Sequence, residues 1–202
     1  MIRRFALAAV LALAAAPLGA TTYTIEPDYA QVVFRWSHLG FSNPAAQLSQ
    51  GQGTLEFDPA NPTRASVQVT MPLSTLNTGV PALDEHLRSE DFFEVAKFPT
   101  ATFRSTKVEP GASKDRLRVT GDLNLHGITR PVTLDVTVLK VGTNPRTNLP
   151  TVGFQATTLL KRSDFNLGAF VPQVSDEIQM QIISQGVEAQ GYAEYLQKQE
   201  KK

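Results

Sequence analysis

Apolar and polar residues alternate through the stretch LRVTGDLNLHGITRPVTLDVTV, which runs from Leu117 to Val138 with a turn near its middle. Successive side chains of a β-strand point to opposite faces, so this pattern predicts a hairpin with one dry face and one wet face. The apolar set on the dry face is Leu117, Val119, Leu123, Leu125, Val132, Leu134, Val136 and Val138.

The same period-two alternation recurs along the chain, and short connections rich in Pro and Gly separate its segments. This arrangement predicts an all-β protein in which a curved antiparallel sheet surrounds an apolar interior. The predicted strands are Tyr23–Ile25, Gln31–His38, Gly51–Phe57, Ala65–Met71, Thr100–Ser105, Leu117–Leu125, Val132–Val141, Val152–Leu160 and Ile178–Val187.

The pattern changes between Pro72 and Pro99. Leu83 and Leu87 lie four residues apart, and Pro81 is acceptable in the first turn of a helix. We therefore predict one helix near Pro81–Arg88, with a second short turn through Asp91–Val95 that Ser89 can cap. These one or two short helices are expected to cover an end or an edge of the sheet.

The two ends of the chain differ from the part between them. Residues 1–20 combine a basic start, an apolar run and small residues before the expected cut, which is the pattern of a secretory signal peptide and is too short for a membrane span. Residues 21–190 are predicted to form one domain. Residues 191–202 are polar and are predicted to form a helical tail that frays. We expect a periplasmic protein with no transmembrane span.

Charge and cysteine content exclude several classes of function. The 19 basic and 19 acidic residues balance, so there is no global positive field to attract nucleic acid. The chain has no Cys, which excludes disulfide, thiolate and iron–sulfur chemistry. An exported protein without disulfides must be held together by packing, and this length permits that.

The inward faces of the predicted strands allow two interpretations. Their apolar side chains either pack on one another as an ordinary core or line a space that a ligand occupies. The candidate lining residues are Phe34, Trp36, Leu55, Phe57, Val67, Val69, Phe103, Val119, Leu123, Val136, Phe154 and Met180.

The three histidines, His38, His86 and His126, also allow two interpretations. Three imidazoles can bind zinc, but these lie on separate elements without the spacing of a metal motif, and we predict no metal site. His38 and His126 both precede a glycine at the end of a predicted strand. We expect them to be structural or rim residues, and a rim histidine can hydrogen-bond a quinone carbonyl or a phosphate.

Arg162 closes a long apolar strand and is also a candidate, so the predicted site consists of the twelve lining residues together with His38, His126 and Arg162. Its planar set of donors suits a pyrophosphate, and the alternative is an ion pair with Asp164 or another rim carboxylate. Asp84, Glu85 and His86 are adjacent, but neighbouring residues on a helix point in different directions, so they are weak evidence for acid–base chemistry. We find no nucleophile elbow and no phosphate loop, and we predict a protein that is not an enzyme.

Several segments, taken in order, resemble motifs of the YceI-like family of exported lipid-binding proteins. The central segment DEHLRSEDFF is similar to its helix, GDLNLHGITRPV is similar to its signature hairpin, and RSDF is similar to its penultimate motif. The segments FRWSHLG, GTLEFD and KFPTATF also resemble family motifs. The resemblance runs from about Tyr23 to about Val187.

The resemblance implies a lipocalin-like antiparallel barrel of eight strands that binds a long isoprenoid chain or a similar amphiphile in its interior. We therefore expect a carrier of a polyprenyl phosphate or a quinone, with no cofactor other than this lipid, and a homodimer is possible. Two alternatives remain: an enzyme that acts on such a lipid through His126 or the Asp84–His86 segment, and a structural or stress-related protein whose barrel is filled by its own side chains.

Overall fold

The computed structural model describes residues 19–201 of the 202-residue chain, so residues 1–18 of the predicted signal lie outside the described part. The described residues form two α-helices, α1 (Pro81–Arg88) and α2 (Ala189–Gln199). The strands are β1 (Thr21–Ile25), β2 (Gln31–Arg35), β3 (Ala45–Leu48), β4 (Gln52–Phe57), β5 (Ser66–Pro72), β6 (Thr100–Pro110), β7 (Arg116–Leu125), β8 (Ile128–Thr143), β9 (Pro150–Lys161) and β10 (Glu177–Glu188).

The strands form one closed antiparallel barrel with eight positions around its wall. Each strand from β4 to β10 pairs with the next, and β10 pairs with β1, which in turn pairs with β4. Closure pairs both edges of β1 and of every strand from β4 to β10, whereas β3 ends the sheet and, among residues 19–201, has only the isolated bridge Gln47–Asn77 on its outer side. The eight-stranded antiparallel barrel that the resemblance implies is therefore confirmed.

Two of the eight positions are occupied by strands that are broken in two. β1 and β2 both pair with β10, β1 near Gly186 and β2 near Gln181, and a 3-10 helix at Pro27–Tyr29 separates them. β3 and β4 are interrupted at Ser49–Gly51, where Gln50 has a φ of 61°. This is why the described residues contain ten strands but only eight wall positions.

One end of the barrel carries the short connections and α2. Glu188 caps α2 through its carboxylate, which accepts hydrogen bonds from the backbone N–H groups of Gln190 and Gly191. Tyr192 of this helix is buried, and outward-facing Val187 beneath it is fully buried. The segment predicted to be a frayed tail therefore begins with a capped helix packed on the barrel.

The other end carries the long connections. The segment between β5 and β6 includes α1 and packs Leu73, Leu76 and Leu87 against the barrel. The helix at Pro81–Arg88 is confirmed, whereas Asp91–Val95 forms turns without a helix. The sequence prediction missed β3 altogether and set the ends of several strands too early.

Candidate functional site

The interior of the barrel holds an apolar cavity of about 720 Å³. This volume lies within the range of roughly 300–1,000 Å³ that is usual for small-molecule sites. Residues from every wall strand and from the α1 connection line it. The filled barrel, one of the alternatives from the sequence, is therefore wrong for the described residues.

Burial of the inward-facing residues agrees with a hollow interior. Phe34, Trp36, Phe103 and Met180 point inwards, yet each is only partly buried because the cavity beside it is accessible to solvent-sized molecules. Side chains in a packed core would instead be buried on all sides. The interior of this barrel has space that its own side chains do not fill.

The structure places fourteen of the fifteen predicted site residues around this one cavity. They are Phe34, Trp36, His38, Leu55, Phe57, Val67, Val69, Phe103, Val119, Leu123, Val136, Phe154, Arg162 and Met180. Binding by these residues stays a prediction. The fifteenth, His126, does not belong to the lining.

Two polar side chains of the wall already have partners within the protein. Ser105 accepts a hydrogen bond from the backbone N–H of Val67 at 2.9 Å, and the hydroxyl of Thr158 donates to the carbonyl oxygen of Thr133 at 2.9 Å. A buried polar group that is already paired has little to offer a ligand. The interior therefore suits a long hydrocarbon with its polar end elsewhere.

A packed floor closes the cavity at the end that carries α2. Phe57 and Phe154 line the cavity, whereas Tyr23 and Val152, which belong to the same packed cluster, are buried without reaching it. Burial raises the pKa of the Tyr23 hydroxyl above its ordinary value, and nearby Glu188 raises it further, against a hydrogen bond with Thr21. The space between the strands is thus solid below the two phenylalanines.

The cavity opens at the other end, which we call the mouth. The lining residues His38, Leu39, His86, Phe170 and Gln173 are exposed there. They come from the β2–β3 connection, α1 and the β9–β10 connection. The edge-to-face contact between His86 and Phe92, with ring centroids 5.0 Å apart, forms one side of the mouth.

Arg162 holds the β9–β10 connection in place and is not a free rim cation. Its Nε donates to the Ser175 carbonyl at 2.8 Å, its Nη2 to Val174 at 2.9 Å, and its Nη1 to Ala169 at 2.7 Å and also to Leu167. The side chain is buried, and this burial lowers the pKa of Arg162, while Asp176 opposes the shift.

Both sequence interpretations of Arg162 are therefore wrong in their details. The guanidinium is occupied by carbonyl oxygens, so it is not available to a pyrophosphate, and no carboxylate within the described residues forms an ion pair with it. Asp176 instead accepts hydrogen bonds from the N–H and hydroxyl of Ser163, which lower the pKa of Asp176. No residue pattern could indicate these contacts, since all the hydrogen-bond partners of the Arg162 side chain are backbone atoms.

His126 lies outside the cavity lining and has a structural role. It lies with Gly127 in the β7–β8 turn, and both have positive φ values, 52° and 73°, as a tight two-residue hairpin turn requires. Its Nδ1 is 3.2 Å from the Phe165 carbonyl, its Nε2 is 3.7 Å from Glu94, and its ring packs on Phe98. The rim role considered for His126 is therefore wrong, and the structural interpretation holds.

The remaining titratable groups at the mouth do not assemble a reactive site. Asp84 accepts hydrogen bonds from the N–H and hydroxyl of Thr78, and these lower the pKa of Asp84. His86 is exposed, and its Nδ1 is 3.9 Å from Asp91. No group of three or more His, Asp or Glu side chains able to hold a metal occurs among residues 19–201.

The sequence analysis missed lining residues of two kinds. Ala156 and Leu160 alternate with outward-facing residues on a predicted strand, so the same pattern could have identified them. Leu83 and Phe93 come from the α1 connection, and Leu39 and Phe170 from loops. No alternation marks loop residues, so only the fold could identify these.

Comparison with known proteins agrees with this architecture. A family model described as the YceI-like domain matches residues 23–185, which is most of the chain. Protein YceI of Salmonella arizonae is 38% identical over 163 residues, covering 81% of this chain and 84% of that protein. The chain belongs to the YceI-like family.

Two solved structures share the fold of this YceI-like protein. Burkholderia cenocepacia BcnA matches with a TM-score of 0.71 at 24% identity, over 80% of this chain and 98% of that one. A polyisoprenoid-binding domain from Saccharophagus degradans, implicated in plant cell wall breakdown, matches with a TM-score of 0.61 at 16% identity, over 84% and 99%. At these identities the likeness concerns the fold alone. Within residues 19–201, no helix has the length and apolar character needed to span a membrane.

Proposed function

We propose that this protein binds one long isoprenoid lipid inside its barrel and carries or sequesters it in the periplasm. The observation that carries the proposal is the hollow, almost wholly hydrocarbon interior with a packed floor and a cluster of exposed lining residues at the mouth. The polyisoprenoid-binding domain from Saccharophagus degradans, which has the same fold, supports an isoprenoid as the class of ligand. The location follows from the predicted signal at residues 1–20.

The energetics favour a long apolar chain. Each methylene-sized group moved out of water contributes roughly 0.8 kcal/mol, so a chain several isoprene units long needs few specific contacts. A part of this gain is offset by the ordering of a flexible ligand. Selectivity would come from the length of the cavity and from polar contacts at the mouth.

The polar head group belongs at the mouth in this proposal. Placing a phosphate or a quinone carbonyl among the hydrocarbon side chains of the floor would leave it without partners, which is costly. His38 and His86 are exposed lining residues at the mouth and can hydrogen-bond either kind of head group. A polyprenyl phosphate and a quinone therefore both fit.

We further propose that the protein is not an enzyme. His126 is turned away from the cavity, and Asp84 is engaged by Thr78, so of these candidates from the sequence only His86 reaches the cavity, and its Nδ1 lies 3.9 Å from Asp91. Within the described residues, none of the lining hydroxyl groups, such as those of Ser105 and Thr158, is hydrogen-bonded to a His, Asp or Glu side chain that could activate it. Binding and release are then the whole activity.

Native mass spectrometry of protein purified from its natural host tests the proposal. We expect a bound species whose mass difference matches an isoprenoid, and organic extraction should recover that lipid. Protein that is empty in every molecule, together with no thermal shift when isoprenoids are added, would rule out the binding function. A bound molecule of another chemical class would rule out the isoprenoid.

A further inference from the structure

Two loops at the mouth present large apolar side chains to solvent. One loop spans residues 36–44 between β2 and β3, and the other spans residues 166–176 before β10; we call them the mouth loops. Phe41 is 92% exposed and Phe170 is 61% exposed, and Leu39 and Val171 are exposed beside them. Exposed apolar residues clustered in this way mark a surface that contacts something.

The exposed surface is continuous with the interior. Leu39 and Phe170 belong both to the lining of the cavity and to the outer surface of the mouth loops. Phe92, another lining residue, packs against Phe170 with ring centroids 6.1 Å apart. A hydrocarbon chain that leaves the cavity would therefore meet apolar side chains all the way to the tips of the loops.

The mouth loops hold each other in this arrangement. The N–H of Leu39 donates to the Gln173 carbonyl at 2.9 Å, and the N–H of Ser175 donates to the Ser37 carbonyl at 2.9 Å. Leu39 and Phe170 have φ values of 55° and 63°, a conformation that is costly for non-glycine residues. Together with the hydrogen bonds from Arg162, these contacts keep the apolar tips exposed instead of folded into the cavity.

Charge distinguishes the partner that fits this surface. Residues 36–55 and residues 165–175 contain no Asp, Glu, Lys or Arg, and His38 is their only titratable side chain. Carrying a charge into hydrocarbon is expensive, so a surface without charge is suited to a bilayer. The acidic residues at this end lie away from the tips of the loops: Asp84, Glu85, Glu90, Asp91 and Glu94 belong to the α1 connection, and Asp164 precedes the second mouth loop. Asp176, the last residue of that loop, accepts hydrogen bonds from Ser163.

We propose that the mouth loops insert into the surface of a lipid bilayer, with Phe41 and Phe170 as the anchors, so that the lipid passes directly between the membrane and the cavity. Aromatic side chains are favoured at the boundary between head groups and acyl chains. The inference deepens the proposed function, because it names where the lipid is taken up. The contact is apolar, so it needs no anionic lipid.

Vesicle flotation tests this surface. The protein should float with neutral phosphatidylcholine vesicles, and anionic phosphatidylglycerol or added salt should change the bound fraction little. The double variant Phe41→Gln/Phe170→Gln should partition at least about tenfold less, because two aromatic rings no longer leave water. The matched control is Leu139→Gln, which alters a residue of 58% exposure at the far end of the barrel and should float like the parent.

Three results would overturn the inference. They are a parent protein that does not float, a double variant that floats as well as the parent, and flotation that requires anionic lipid and disappears with salt. A parent that forms a dimer in solution, which the double variant breaks without any effect on flotation, would also overturn it and assign the surface to a second copy of the chain.

A separate titration decides the proposed function. In the single variant Phe41→Gln, whose changed residue does not line the cavity, isoprenoid supplied in detergent should still change the fluorescence of Trp36. Weakened flotation of Phe41→Gln with retained binding supports both proposals. Absence of binding in the parent protein contradicts the proposed function, whatever the flotation result.

Discussion

The rings of Phe57 and Phe154 meet edge to face at the closed end of the cavity, with 5.5 Å between their centroids and 90° between their planes. Below them Tyr23 and Val152 fill the barrel. The contact is therefore the point at which an enclosed chain must stop, and the distance from it to the mouth limits the length of the ligand.

Replacing Phe154 with Ala should deepen the cavity. We expect the preferred isoprenoid to become longer, because a phenyl group is removed from the floor, and the free energy of unfolding to fall by about 3 kcal/mol. Binding measurements over isoprenoids of increasing length check this shift. Phe103→Ala is the matched control, since Phe103 lies against the side wall over Gly121. An equal change in length preference in both variants would show that the floor does not limit the length of the bound isoprenoid.

A charge on the dry face should empty the cavity. Val136→Asp places a carboxylate in the lining, where it has no partner, so we expect a loss of several kcal/mol of stability, or loss of lipid, or both. Melting temperature and bound lipid measure the effect. Thr137→Asp is the neighbouring control, because its side chain points to the outer face. If Val136→Asp melts and binds like the parent, the strand faces have been assigned backwards.

Removing the guanidinium of Arg162 should release the β9–β10 connection. Arg162→Met leaves four carbonyl oxygens without their donor, and we expect a loss of about 3 kcal/mol. Hydrogen exchange of the amides at residues 167–175 should accelerate more than exchange elsewhere. Arg130→Met, which removes an exposed arginine near the same connection, should have little effect. Unchanged exchange at residues 167–175 in Arg162→Met would contradict the role assigned to Arg162.

Acid should weaken the same connection through Asp176. Hydrogen bonds from Ser163 lower the pKa of Asp176 below its ordinary value of 3.8, so the ionised form stabilises the folded state. This stabilisation is complete above the pKa of the unfolded chain and is lost as the pH falls through the lower folded pKa. We expect the contribution to be constant from pH 7 to pH 5 and to decline below about pH 4. In Asp176→Asn this acid-dependent part of the melting curve should be smaller; an identical acid profile in both proteins would contradict the assignment.

The wall of the barrel could be predicted because it depends on a local rule. Alternation fixes which residues of a strand share a face, so Val119, Leu123 and Val136 were assigned inwards from the sequence, and the structure places them there. A second local rule identified α1, because Leu83 and Leu87 lie four residues apart, which places them on one face of a helix. The sequence pattern did not predict β3, because Ala45–Leu48 is only four residues long and lacks β-branched side chains.

The ends of the barrel could not be predicted because they depend on contacts between distant segments. Arg162 looks like a rim cation in sequence, but the fold brings four carbonyl oxygens around it. His126 looks like a mouth residue, but the turn directs its ring towards Phe98 and Glu94. Alternation likewise cannot tell a packed interior from a hollow one, since both place apolar side chains on the same face.

The central claim is that a long isoprenoid chain occupies the interior of this barrel, and Trp36 reports on it directly. Trp36 is the only tryptophan of the chain, it lines the cavity, and its ring centroid is 5.9 Å from that of Phe34. Titration of lipid-free protein with a long isoprenoid should give a saturable change in tryptophan emission at one lipid per protein. No change in emission up to the solubility limit of the lipid would contradict the claim.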